Sequence, residues 1–302
     1  MATLRFVVAL TTNDNDYQIE QAAAAELAAK RLAAKVEILY ANNDAVEQSQ
    51  QILKVIQSSS SADSRPDGIV VEPVGTPLPS AARAAAAAGI GWVILNRDAD
   101  YITELRKSFK SPVFTISSDH EEIGRIQGQQ FAALLPQGGT VLYIQGPAGD
   151  AAAGRTRGML ATKPANIQTK LLRGNWTEAS AEKAVTAWLR LSTSRNEHID
   201  VVGAQDDSMA AGARKAFEEQ PAGPEREKWR NLLYTGCDGL PKTGQMWVRQ
   251  GILKATVVVP ANTGMALEML VKAIRGGVNP LEKAFTAATS YPSIEALAGK
   301  KK

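Results

Sequence analysis

The stretch Thr140–Gly158, TVLYIQGPAGDAAAGRTRG, decides how this chain is read. It opens on Val141-Leu142-Tyr143-Ile144, whose aliphatic and aromatic residues suit a strand covered on both faces. A turn of Gly146, Pro147 and Gly149 follows, then an alanine-rich run with Asp150 where a helix N-cap belongs. Arg155 and Arg157 fall on the first turns of that helix. Strand, glycine turn and helix start are how open α/β sheets meet ligands at their strand ends. Two guanidiniums there offer forked, permanently charged donors to hydroxyl, carboxylate or phosphate oxygens. The same pair also fits the solvated face of an ordinary surface helix, and the rest of the chain must decide.

Outward from this stretch, strand and helix patterns alternate in both directions. Upstream, Leu4–Leu10, Val36–Tyr40, Gly68–Glu72, Gly91–Leu95 and Val113–Ser117 read as strands. Helical patterns run from Tyr17 to Ala34, Ala45–Ile56 and Pro79–Gly89, with a loop at Ser58–Arg65 and a partly helical excursion at Asp100–Ser111. Asp119 opens a further helix that reaches Leu135. Downstream strands are Ile167–Leu172, Ile199–Gln205, Leu232–Thr235 and Ala255–Val259, with Ala284–Tyr291 as a last one. Ala151–Ala161, Thr177–Leu191, Asp207–Phe217, Lys242–Gln250 and Thr263–Ile274 are the helices around them. At 302 residues the chain exceeds one core, so two domains of roughly 150 residues are expected. The fold class is α/β, with two Rossmann-like lobes built on parallel sheets.

Composition excludes several functions. The net charge of +3 is matched by the terminal lysines Lys300–Lys302 alone, so no basic face for nucleic acid is expected. One cysteine, Cys237, and two histidines, His120 and His198, provide neither an intrachain disulfide nor a zinc cluster. The longest apolar run, Ala84–Leu95, is about half of a membrane span, so no membrane insertion is expected. No apolar leader precedes Leu4, which implies either a mature form or a cytoplasmic protein. Nucleotide-binding glycine fingerprints and a hydrolase elbow are missing, and no nucleophile sits beside a base. The expectation is binding without catalysis, and no cofactor.

Polar residues recur just past the carboxyl ends of the strands. In the first half these are Asn13, Asn15, Asp16 and Tyr17, then Glu72, then Asn96 and Arg97. In the second half they are Arg155 and Arg157, Trp176, Asp206-Asp207, and Cys237-Asp238. Two lobes that turn these edges toward each other make a cleft lined by both. Carboxylates accept from hydroxyls, guanidiniums donate to them and an indole covers C–H patches, which suits a polyhydroxylated ligand. Plainer readings stand beside this one. Trp176 fits loop packing, Asp207 or Asp16 a helix cap, and Glu72 the polar end of a buried strand. Arg97 directly follows an apolar strand and is poorly placed as a mere solvated charge.

At these residues the chain resembles the type I periplasmic sugar-binding proteins, in the style of ribose-binding-like solute receptors of ABC transporters. The resemblance rests on Asn96-Arg97, Ser118-Asp119, Gln145-Gly146 with Arg155-Thr156-Arg157-Gly158, Ala204–Ala210, and Thr235–Gly239. It implies sugar contacts from Asn13, Arg97, Arg157 and Asp238, with Trp176 as the stacking aromatic. Departures are Asn96 for the family's aspartate, Asp206 for its asparagine, and Asn15, Asp16 and Cys237 for aromatics; Val259 stands near a usual glutamine. The resemblance also implies three crossings near Ser117, Pro260 and Thr286. One lobe is then residues 1–117 with about 261–286, the other 118–260 with about 287–302. A periplasmic location, hinge closure on a sugar-like ligand and an ABC permease as partner are implied with it. Two alternatives are a cytoplasmic ligand sensor feeding a sensor kinase, and a nucleotide-dependent α/β enzyme.

Overall fold

The computed structural model describes residues 3–58, 65–229 and 232–299. Residues 59–64 of the expected loop at Ser58–Arg65, and the terminal lysines, lie outside them. The chain divides into two compact units, residues 1–118 with 261–286 and residues 119–260 with 287–302.

The first unit alternates β1 (Arg5–Leu10), α1 (Asp16–Arg31), β2 (Lys35–Tyr40), α2 (Ala45–Gln57), β3 (Gly68–Val71), α3 (Pro79–Ala87), β4 (Gly91–Leu95), α4 (Ile102–Ser108) and β5 (Val113–Ser118). The second carries α5 (His120–Leu134), β6 (Gly139–Gln145), α6 (Asp150–Thr162), β7 (Ile167–Arg173), α7 (Glu178–Leu189), β8 (Val201–Ala204), α8 (Asp207–Glu218), α9 (Pro224–Trp229), β9 (Leu233–Asp238), α10 (Gly244–Arg249) and β10 (Ala255–Val258). The chain then returns α11 (Thr263–Gly276) and β11 (Lys283–Thr286) to the first unit, and β12 (Thr289–Tyr291) and α12 (Ile294–Leu297) to the second.

Among the described residues each unit holds a six-stranded sheet, ordered β11-β5-β4-β3-β1-β2 in the first and β12-β10-β9-β8-β6-β7 in the second. The first sheet is parallel throughout. The second is parallel apart from β12, which runs antiparallel along β10. The strand expected over Ala284–Tyr291 is therefore two strands in two sheets. Its first part pairs with β5 and its second with β10, and the chain changes unit between Thr286 and Ala287.

Central strands are buried from end to end, as β3, β4, β5 and β8 show, because helices cover both faces. In the first unit Val8, Leu10, Val93 and Phe114 meet the alanine face of α1 and Leu267 and Leu270 of α11. Val7, Ile69, Trp92 and Ile94 pack on the other side, against the alanines of α3. In the second unit Trp188, Phe217 and Trp229 meet edge-on or tilted under β8 and β9. Asp119 caps α5 by accepting from the amides of Glu121 and Glu122 at 3.1 and 3.0 Å. Asp150 does not cap α6; Gly149 holds that position without a side-chain bond, and Asp150 is the first helical residue. Among the described residues, no helix is long and apolar enough to cross a membrane.

One helix contact fixes the position of the stretch that opened the sequence reading. Helices α5 and α6 each carry glycines four apart, Gly124 and Gly128 on one and Gly154 and Gly158 on the other. A Cβ at Gly124 would overlap the carbonyl of Arg155, and one at Gly158 the carbonyl of Glu121. The two backbones thus touch, and α6 sits where no larger residue would let it. Gly158→Ala is expected to destabilise the second unit by about 1–3 kcal/mol, read as a lower midpoint in urea. Gly276→Ala, where a Cβ meets open space, is the control and leaves the midpoint nearly unchanged. Equal midpoints for both variants would show that the helices do not need this contact.

Candidate functional site

The carboxyl ends of the second sheet gather a buried charge cluster. Arg155, on the first turns of α6, is 7% exposed. Its Nη1 donates to the backbone carbonyl of Gln205, which follows β8. Its Nη2 lies 3.5 Å from Oδ1 of Asp238, the last residue of β9. The guanidinium also sits over the indole of Trp176, 5.4 Å from the ring centroid. Trp176 follows β7 in a left-handed conformation, φ 58°, and is half-buried against the core of its unit. Its ring lies so close to Gly146 that a Cβ there would overlap it.

Two more carboxyls share this end of the sheet. Asp206 is the N-cap of α8 and accepts from the amide of Met209 at 2.5 Å. Asp207, expected as that cap, lies one step further on. It is buried and accepts from the Thr256 hydroxyl at 2.7 Å and the Gly239 amide at 2.8 Å. It therefore ties β10 and the turn after β9 to the start of α8. Burial, and then the charge of Asp238, push the Asp206 carboxyl up to about 7. Burial raises Asp238 as well, with Arg155 offsetting part of the rise. Asp207 is held well above the usual carboxylate range by burial first and Asp238 second. Asp206 and half-buried Asp238 share the one guanidinium, with buried Asp207 beside them, and the three cannot all ionise cheaply. The Cys237 thiol is buried, which pushes it well up and keeps it neutral.

The expected pair of arginines is corrected. Arg157 is two residues past Arg155, about 200° around the helix, so it leaves the cluster on the opposite side. Its side chain is 66% exposed, with Nε 3.7 Å from Glu121 of α5. Of the two, Arg155 is the one placed beside Asp238.

The strand ends of the first unit carry amides in place of charge pairs. Asn96, after β4 and at φ 55°, donates through Nδ2 to Glu72 at 3.1 Å and to the Tyr17 hydroxyl at 3.4 Å. Its Oδ1 accepts from the Asn262 side chain at 2.7 Å and from the Ser118 amide at 3.3 Å. Glu72 also accepts from Gln18 at 2.9 Å, so it is more than the polar end of a strand. Buried Gln21 binds Asn262 on both sides, donating to its side chain and accepting from its amide. Asn15 caps α1 by accepting from the amides of Tyr17 and Gln18 at 2.9 and 3.3 Å, which leaves Asp16 exposed in the first turn rather than at the cap. Asn13 and Arg97 are exposed. Arg97 has no hydrogen bond or ion pair among the described residues.

Tyr17, Glu72 and Asn96 are thus brought together in one unit, and Arg155, Trp176, Asp206 and Asp238 in the other. Sequence reading missed Gln205, Gln18 and Asn262 as members of these networks, and read Asp207 as a cap where it bonds Thr256 and Gly239. Gln205 had a signal, since it directly continues an apolar strand; Asn262 had none. Among the described residues no group of three or more His, Cys, Asp or Glu is placed to hold a metal ion.

Such a chain, with two doubly wound α/β units and polar residues collected at the strand ends of each, has the build of a solute-binding protein. The sequence matches the periplasmic binding protein domain over residues 6–277, and the chain belongs to that family. It is 31% identical over 179 residues to the ribose import binding protein of Salmonella typhimurium, covering 58% of this chain and 57% of that one. The alignment thus spans little more than half of the curated relative. Among solved structures, a periplasmic solute-binding protein from Actinobacillus succinogenes with bound D-allose superposes with a TM-score of 0.80 at 21% identity, covering 98% of this chain and 100% of that one. The Caulobacter myo-inositol binding protein gives 0.74 at 19% identity, over 99% and 98%. At these identities the structures establish the shared fold.

The raised carboxyl has a measurable consequence. Between 3.8, its ordinary value, and about 7, Asp206 keeps a proton in the folded chain that the unfolded chain has lost. Its contribution to stability is therefore present below that window and lost as pH rises through it. The melting temperature is expected to fall by several degrees from pH 4.5 to 7.5, and Asp206→Asn to flatten that fall. An identical pH profile for the variant would remove Asp206 as the source.

Proposed function

We propose that this chain is a non-enzymatic solute receptor that closes on a small polyhydroxylated ligand, a sugar or cyclic polyol, for uptake by an ABC transporter. The observation that carries the reading is the arrangement of Arg155, Asp238 and Trp176 at the strand ends of the second unit. It combines a charged donor, a charged acceptor and an apolar ring face, the three things a sugar hydroxyl-and-C–H surface needs. Tyr17, Glu72 and Asn96 supply matching donors and acceptors from the first unit, and exposed Arg97 and Asn13 are free to reach a ligand. The relatives named above support the class: one is a ribose import protein, and others hold D-allose or myo-inositol. Closure is proposed to turn about the chain crossings next to Ser118, Pro260 and Thr286.

Family membership also supports a periplasmic working location, with a permease reading the closed form. Fractionation of cells producing the chain from its natural gene is expected to find it with periplasmic markers; recovery only with the cytosol would sink this part. A second reading, a ligand sensor for a signalling kinase, draws support from one likeness. The fructose-binding periplasmic domain of a hybrid two-component system superposes with a TM-score of 0.75 at 20% identity.

The direct test is a thermal-shift panel of D-ribose, L-arabinose, D-allose and myo-inositol, with amino acids and nucleosides beside them. A ligand present at a hundred times its Kd stabilises by about 2.7 kcal/mol, which is a rise of several degrees. At least one sugar or polyol is expected to give it. Arg155→Met and Asp238→Ala should each abolish the rise while the free proteins still unfold cooperatively. Should only amino acids or nucleosides shift the melting point, the sugar reading is wrong; should both variants respond like wild type, the site is elsewhere.

A further inference from the structure

We propose that Gln205 is the positioning residue that holds the Arg155 guanidinium in its ligand-facing place. Arg155 spends one arm on the backbone carbonyl of Gln205, and the Gln205 side chain then turns back to tie down everything around that arm. Its Oε1 accepts from the amide of Gly146 at 2.9 Å, at the turn leading into α6. Its Nε2 donates to the Ala152 carbonyl at 3.0 Å and the Thr156 hydroxyl at 3.0 Å, three residues before Arg155 and one after it. It also reaches the Tyr143 hydroxyl at 3.2 Å, and that hydroxyl donates onward to Gln127 of α5 at 2.7 Å. Gln205 is wholly buried. The amide orientation is set by its partners: reversed, an NH2 would face the Gly146 N–H and a carbonyl would face the Ala152 carbonyl.

One side chain thus joins the end of β8 to the turn before α6 and to both sides of the turn of helix that carries Arg155. The α5–α6 glycine contact sets how close the helix comes. The Gln205 bonds fasten the same helix from the strand side, holding Ala152 and Thr156 on one face of α6, Gly146 in the turn before it and Tyr143 on β6. A buried guanidinium whose Nε has no partner depends on such outside support to stay in one rotamer.

The assignment rests on Arg155 facing the ligand, and its test has an arm that needs no ligand. In fluorotryptophan-labelled protein the chain gives signals from its five tryptophans, and Trp176→Phe identifies the one beneath Arg155. Arg155→Met is expected to move that signal. Gln205→Met should move it the same way, and should add nothing when placed on Arg155→Met. Gln205→Glu, whose protonated form keeps both a donor and an acceptor, should hold the wild-type signal at low pH. It should lose that signal as the acid ionises, a step absent from wild type. For any panel sugar that binds wild type, Gln205→Met is expected to weaken binding at least about tenfold, the worth of one charge-assisted hydrogen bond. If Gln205→Met lowers the melting point yet leaves the Trp176 signal in place, Gln205 is only a packing residue and the proposal falls. If the signals behave as expected and no sugar binds, the sugar reading falls and the positioning role stands.

Discussion

A guanidinium out of water has to be surrounded, and much of the second unit is arranged to surround one. Burial alone disfavours the charged form of Arg155, and the acidic groups about it, Asp238 and Asp206 among them, more than reverse that effect. The cost falls on the carboxyls, which are pushed up by burial first, with the charge of Asp238 adding to the rise of Asp206 and Asp207. This end of the sheet thus holds a donor that cannot lose its proton beside one carboxyl, Asp206, pushed up to about 7, so its charge and the stability of the unit are linked.

The first unit solves the same architectural problem with neutral groups. Its strand ends are bridged by carboxamides, Gln18, Gln21, Asn96 and Asn262, with Glu72 as the one carboxylate in the chain of bonds. Amides both donate and accept, so each can bridge two neighbours. Asn96 is its centre. It bonds Ser118 and Asn262, which stand beside two of the three points where the chain changes unit. Asn96 and the crossing segments beside it are in this way one hydrogen-bonded group.

Much of the fold was legible because period and burial agree. Runs such as Gly91–Leu95 are apolar on both faces and have no reading other than a covered strand, and Asp119 before His120-Glu121-Glu122 is a cap by chemistry alone. What was misjudged turned on offsets of one or two residues. Asp206 and Asp207 are equally good caps on paper, and the first takes the role because Thr256 and Gly239 claim the second. Arg155 and Arg157 look equivalent in sequence, yet a helix sends residues two apart to opposite sides.

By itself the sequence determined the two α/β units, the order of their elements and the strand ends as the places where polar chemistry collects. Those features follow from local periodicity and from residue types that act within a few positions of themselves. Tertiary structure decided which arginine is buried, which aspartate caps, and that Gln205, Asn262 and the glycines of α5 and α6 belong to the site's support. Each of those depends on a partner from a distant part of the chain, and no pattern within a single segment records the identity of its partner.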